Sequence, residues 1–324
     1  MSSMMKMVIA VLAVCAVIGI FFWQGGGSDK DAAVSGTRQV TDSMGRTVTI
    51  PSEVKRVVLL NASSMEIFCE AGGSDLIVGK PTTKATPPKW QAKLKDVPEV
   101  GILHSPNIET ILSLKPDLVI GVNVPFHHTL IKTMEGAGIP MVLRSLESYE
   151  HVLESLEFFG DIAGTPDVAA AKKAEVEAQY KAVREKYSGQ KPPKTLIIWG
   201  SPDSFQMASK KSFVGDLLER LGGNNIADHA TGAVGQVGFL PFGMEFVAKE
   251  DPEVICLVSH SNDPAVRDKF LSQMNSQAIW SGIKAVKTGR VYVLPYELFA
   301  VNPGTQTAEA IDVLAKIVFE EKAK

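Results

Sequence analysis

Cysteine is scarce in this chain, with only Cys15, Cys69 and Cys256 in 324 residues. Three such scattered thiols build neither a disulfide framework nor a cysteine metal cluster. Cys69 and Cys256 sit in the apolar runs FCEA and VICLV and read as buried thiols. A basic excess is missing as well. The formal net charge is −3, so nucleic acid is not expected as a partner. Enzyme signatures are absent: there is no P-loop, no G-x-S-x-G and no H-E-x-x-H, and GAGIP at Gly136 is too short and wrongly placed for a dinucleotide fingerprint. The chain is therefore expected to bind rather than catalyse.

Long apolar runs are confined to one place. Residues 7–23 carry no charge and follow Lys6, and a polar, glycine-rich stretch comes after them. This reads as an export signal or membrane anchor with a flexible linker, occupying residues 1–36. LAVC, ending at Cys15, looks like a lipoprotein cleavage box, which would make Cys15 a lipidation site. It departs from that pattern at Val14, and the apolar run continues for eight residues beyond the cysteine. Lipidated, anchored or cleaved, the folded part is expected outside the cytoplasm, tethered to the outer face of the membrane or periplasmic.

What is present is an α/β pattern. An apolar content of 45% against 21% charged residues supports a real core. Strands are predicted at 46–51, 54–60, 76–79, 118–121 and 141–144, alternating with helices at 64–71, 128–135 and 150–162. This alternation implies parallel βα units. Residues 165–188 then read as one helix of about 34 Å, with Val176, Tyr180, Val183 and Tyr187 as its stripe. Alternation resumes with strands at 195–199, 254–258 and 291–294, and helices at 214–221, 245–249, 266–274 and 307–320. The predicted architecture is two βα-sandwich lobes, 37–164 and 190–324, joined by a long backbone helix at 165–189, with a ligand cleft between them.

The segment PEVGILHSPNIETILSLKPDLVIG, residues 98–121, carries the most functional information. It places His104 in a loop before a helix expected to start with Ser105 as N-cap and Pro106 as its first residue, with Glu109 in the first turn. The second half echoes it. Pro106 and Glu109 lead to Pro116-D-L-V-I, and Pro241 and Glu245 lead to Pro252-E-V-I, each glutamate seven residues before the second proline.

An exported two-lobed chain with one spanning helix resembles the helical-backbone class of solute-binding proteins, which serve ABC importers of siderophores, haem and cobalamin. DSMGRTVTIPSEVKRVV, SLKPDLVIG and AVKTGRVYVLP carry that resemblance. IIWGSPDSFQMASKKSFVGDLLERLGGNNI, PEVICLVSHSNDPAVRDKF and IWSGIKAVKTGRVYVL are similar to the haem-binding lipoproteins of Gram-positive iron-regulated surface systems. That family ligates haem iron with a histidine after a second-lobe strand, which falls on His260, and with the methionine of a G-x-x-Met-x-P loop. Here the loop reads Gly101-Ile-Leu-His104-Ser-Pro106, so His104 stands in the methionine's place.

The resemblance implies haem b as transported ligand, iron transport as the role, His104 and His260 as axial ligands, an ABC permease as partner and an outside haem donor as a further one. Imidazole is a common haem ligand and must be neutral to bind. Pocket candidates by position are Trp199, Phe205, Met207, Phe239 and Phe299 for the porphyrin faces, and Lys84, Ser209, Lys210 and Lys211 for the propionates. The class docks one glutamate of each lobe on the permease, which falls on Glu109 and Glu245. His127 and His128 read as surface residues, His151 as part of a charged outer face, and His229 as exposed. A siderophore or cobalamin binder of the same fold is the alternative, with Arg144 and Tyr296 as candidate contacts. A membrane-tethered haem sensor or enzyme is the second.

Overall fold

In the computed structural model, residues 36–201, 204–230, 238–259, 264–276, 278–300 and 304–320 are described; residues 1–35, with Cys15, and His260 lie outside them. Among the described residues no helix is long and apolar enough to cross a membrane. The chain enters through an antiparallel hairpin, β1 (Thr37–Thr41) and β2 (Thr47–Pro51). Then come β3 (Val57–Leu59), α1 (Ala62–Glu70), β4 (Ile77–Gly79), α2 (Pro88–Leu94), β5 (Gly101–Ile102), β6 (Ser105–Pro106), α3 (Ile108–Ser113) and β7 (Leu118–Val122). The first lobe closes with α4 (Pro125–His128), α5 (Ile131–Gly136), β8 (Met141–Arg144) and α6 (Tyr149–Ala163). Its sheet runs β4-β3-β7-β8, all parallel. Every residue of β3, β7 and β8 is buried, as parallel strands covered on both faces require.

The long helix, α7, spans Pro166–Lys186, 21 residues and about 31 Å. Proline opens it, but Thr165 does not cap it; the threonine hydroxyl donates to Ala71 O instead, at 2.6 Å. The expected stripe holds, with Val176 and Tyr187 buried and Tyr180 and Val183 packed against the same core. Gly160 of α6 lets α7 approach: a Cβ there would lie 2.4 Å from the Cβ of Ala169.

The second lobe contains β9 (Lys194–Gly200), β10 (Phe205–Ala208), α8 (Phe213–Arg220), β11 (Asn224–Asn225), β12 (Phe239–Pro241), α9 (Met244–Glu250) and β13 (Val254–Ser259). It ends with α10 (Pro264–Ser276), α11 (Ala278–Ser281), α12 (Lys284–Lys287), β14 (Val291–Val293), α13 (Tyr296–Phe299) and α14 (Thr307–Phe319). The order is β12-β10-β9-β13-β14, with β11 also beside β9. This sheet is mixed, where only parallel units were predicted. β9, β13 and β14 are parallel, but β10 returns antiparallel along β9 and β12 along β10. The link from Gly200 to Phe205 is too short for a crossover, so it must reverse direction.

The predicted repeat is structural. Glu109 and Glu245 are each the second residue of a short helix, α3 and α9. The two described non-glycine residues with positive φ, Lys115 at 47° and Asp251 at 49°, stand immediately before Pro116 and Pro252. The acidic residue after each proline then clamps the start of its lobe's first strand region. Asp117 Oδ2 accepts from the backbone N–H of Lys55 and Arg56, both at 2.9 Å, and Glu253 Oε2 accepts from that of Lys194, at 3.1 Å.

One core cluster runs through both lobes, from Ile50, Phe68 and Phe159 to Val214, Leu217 and Leu314, with α7 and α14 against it. Polar contacts cross beside it. Tyr149 N–H donates to Asp216 (2.9 Å), and Arg220 bridges Asp216 (2.9 Å) and Glu150 (3.1 Å). Behind the cleft, buried Glu66 of α1 accepts from Thr305 N–H at 3.0 Å and from the Thr305 hydroxyl.

Candidate functional site

Two contiguous cavities, about 480 and 170 Å³, lie between the lobes and share Leu146, Glu147, Trp199 and Ala300. Together they fall in the size range of small-molecule sites. The larger is lined by residues 60–63 at the N-terminal end of α1, residues 81–83, the tip of the β5–β6 hairpin, Val122 and Val124, with Trp199 and Tyr296 from the second lobe. The smaller is lined mainly by the second lobe, including Ala208, Lys211, Phe239, Val258 and Phe299.

His104 lines the larger cavity from the hairpin tip. The local sequence forces this turn in a way the predicted helix start did not anticipate. Gly101 has φ +94° and approaches Ser105 O so closely that a Cβ would lie 2.6 Å from it. Residues 101–106 therefore close as a hairpin, and Ser105 and Pro106 are strand rather than cap and first turn. The cap is Asn107, whose side chain accepts from Thr110 N–H at 3.0 Å, so α3 begins at Ile108. The His104 ring is exposed and meets Phe126 edge-on, centroids 4.7 Å apart. Ile102 and Phe126, beside it, are among the few exposed large apolar side chains, about half exposed each. Exposed apolar groups around one imidazole mark a contact surface.

His127 corrects the sequence reading: it is fully buried, not on the surface. Val122 N–H donates to its Nδ1 at 2.9 Å, so the ring proton is on Nε2, which donates to Leu103 O at 3.1 Å. Burial holds this imidazole below the ordinary histidine value, with the neighbouring His104 and His128 acting in the same direction. In-phase spacing with the buried Leu130 and Met134 was the signal in the sequence. His128 pairs with Asn123 Oδ1 at 2.8 Å. The single helix predicted over 128–135 is instead split into α4 and α5.

Strand alternation sorts the aromatic candidates. Trp199, Phe239 and Phe299 line the cleft, with Trp199 and Phe239 rings 5.3 Å apart. Phe205 and Met207 do not: β10 pairs antiparallel with β9, and both side chains point to the opposite face, into the core with Ile198 and Phe270. Phe205 and Phe270 stack edge-on at 5.4 Å. Among the polar candidates, Lys211 lines the smaller cavity. Lys210 is turned to Glu219, at 3.0 Å, and Ser209 is buried with its hydroxyl on Gly238 O, so neither lines the cleft. Lys84 is exposed, directly after the lining residues 81–83.

Glu147 and the start of α1 enter the site without having been singled out as pocket residues, while Tyr296, the candidate contact of the siderophore alternative, does line the larger cavity. Burial pushes the Glu147 carboxyl up, but the His151 imidazole at 3.3 Å outweighs it with help from backbone N–H groups, and the group lies below the usual carboxylate range. The same bond raises His151. Burial pushes the Tyr296 phenol up. Arg144 is buried under α6, its guanidinium 4.6 Å from the Phe158 ring centre, and does not line the cleft. Glu109 and Glu245 are both exposed, apart from the cleft lining.

A sequence profile described as periplasmic binding protein matches residues 57–298. The high-affinity heme uptake system protein IsdE of Staphylococcus aureus is 28% identical over 253 residues, covering 76% of this chain and 82% of that protein. The crystal structure of S. aureus IsdE complexed with heme superposes with a TM-score of 0.70 at 25% identity, over 82% of this chain and 98% of that one. A periplasmic heme binding protein from Pseudomonas aeruginosa gives 0.67 at 26% identity, over 84% and 94%. S. aureus SirA complexed with staphyloferrin B shares the fold, with 0.70 at 22% identity over 87% and 98%. A profile match of that length settles the family: the chain belongs to the periplasmic binding proteins, and it is a solute-binding protein of the ABC-importer type, not an enzyme.

Proposed function

We propose that the solute is haem, held between the lobes and delivered to an ABC permease. The observation that carries this reading is His104, presented at a hairpin tip to a cleft walled by Trp199, Phe239, Ala300 and Leu146. A flat, apolar macrocycle with a central iron needs such walls and an axial nitrogen donor. The other donor in this reading is His260, which lies outside the described residues; Val258, two residues before it, lines the smaller cavity. Lys211, Lys84 and the N-terminal end of α1, with its positive dipole end, are the groups for the propionates. Among the described lining residues there is no arginine, which favours haem over a carboxylate-rich siderophore.

Glu109 and Glu245, exposed and equivalent in the two lobes, are the docking carboxylates in this reading. The N-terminal segment tethers the protein at the outer face of the membrane, with Cys15 as the site if it is lipidated. The test is an absorption titration with haemin. Wild-type protein is expected to give a low-spin spectrum that is lost in His104→Ala and in His260→Ala. A low-spin spectrum unchanged in the double variant sinks the proposal.

A further inference from the structure

Resting on the reading of His104 as an iron ligand, we infer that His127 is a positioning residue for it. The His104 hairpin pairs Gly101 with Pro106 and Ile102 with Ser105, and its base is held by Asn107 N–H to Val100 O at 2.7 Å and Thr82 N–H to Gly101 O at 2.8 Å, but none of these bonds reaches the tip residues Leu103 and His104. By itself such a short hairpin would not fix the direction of an exposed ring at its tip. His127 supplies a restraint at the tip itself. Its ring is fully buried and spans from Val122 N–H, at the end of β7, to Leu103 O, next to His104. One imidazole thus ties the hairpin to the central part of the first-lobe sheet. Gly121 makes room for it, since a Cβ there would lie 3.0 Å from His127 Nδ1. The preceding residue, Phe126, sets its ring against the face or edge of His104 at 4.7 Å, so α4 restrains both the backbone and the ring of the candidate ligand.

The two ring nitrogens can be separated by substitution. In His127→Asn, Oδ1 falls near the place of Nδ1, keeps Val122 N–H satisfied and cannot reach Leu103 O. In His127→Gln, the longer amide reaches Leu103 O with an N–H from a residue still held in α4 by its backbone bond to Val124 O, and the unpaired Val122 N–H lowers fold stability without releasing the hairpin tip. Haemin titration should therefore show the Asn variant binding about three- to tenfold more weakly, the range for one lost hydrogen bond. It should also show a new high-spin fraction, returned to low-spin by millimolar free imidazole filling the vacated position. The Gln variant should stay close to wild type. Wild-type affinity and spectrum in His127→Asn, or equal losses in both variants, overturn the inference. A low-spin spectrum that survives His104→Ala instead overturns the ligand reading beneath it. Nitrogen NMR of the wild-type ring does not depend on any variant folding: a slowly exchanging Nε2–H is expected, and an Nδ1–H tautomer refutes the tether.

Discussion

Glu66 is the most informative place to perturb the joint between the lobes. Its carboxyl is buried in α1 and is bonded by Thr305, through the backbone N–H at 3.0 Å and the hydroxyl. Gly304 is there because nothing larger fits: a Cβ would lie 1.5 Å from Glu66 Oε2. Desolvation raises the carboxyl from 4.5 to about 7, with the Thr305 bonds and Lys89 opposing and Glu70 adding. An acid whose folded value is raised is held protonated by the fold. Its contribution is complete below pH 4.5 and is lost as pH rises to about 7. At about 1.4 kcal/mol per unit, that difference corresponds to about 3 kcal/mol of stability lost across the window. Glu66→Gln keeps the shape, an acceptor for Thr305 N–H and a donor for the hydroxyl, but cannot ionise. Urea unfolding of both proteins at pH 4.5, 6, 7 and 8 isolates the effect, because all other groups cancel in the difference. The two should be similar at the acid end, and the Gln variant should be more stable by about 3 kcal/mol at pH 8. A difference that stays constant with pH would refute the argument that this carboxylate is desolvated by lobe contact.

The remaining expectations concern the cleft wall, the helix joint and docking. His151 is raised and Glu147 lowered by their mutual bond, so the pair contributes fully between pH 4.5 and 6.5, and is lost above as His151 deprotonates and below as Glu147 protonates. NMR titration should show the His151 value falling back toward 6.5 in Glu147→Gln; no change means the pair does not form. Gly160→Ala places a methyl 2.4 Å from the Ala169 Cβ and should cost about 1–3 kcal/mol in urea unfolding by pushing α6 off α7. Glu109→Ala with Glu245→Ala should abolish haem uptake by cells while leaving haemin affinity unchanged; wild-type uptake in that variant rules out docking through these residues.

The lobes were legible in the sequence because their central strands are short, β-branched-rich runs buried along their whole length, so burial and propensity agree over 57–59, 118–122 and 254–259. The repeat was legible for a different reason. Pro116 and Pro252 each force a fixed local geometry, and an acidic residue must follow to hold the strand start. Side-chain direction in β10 was not legible. Phe205 and Met207 alternate with Gln206, which puts them on one face without saying which, and only the antiparallel pairing with β9 turned that face away from Trp199.

By itself, then, the sequence determined the α/β lobes, the long helix and the histidine at position 104 on a loop of the cleft. Those follow from hydrophobic periodicity and the proline and glycine punctuation between elements, which act over a few residues, whereas the predicted caps Ser105 and Thr165 gave way to Asn107 and to an uncapped start. Tertiary structure alone decided which groups share the cleft and which charges are felt there. It buried His127 beneath the hairpin, brought Glu147 to the wall and closed Glu66 against Thr305, 239 residues away. Burial and long-range contact set those outcomes, and neither is written in the spacing of neighbouring residues.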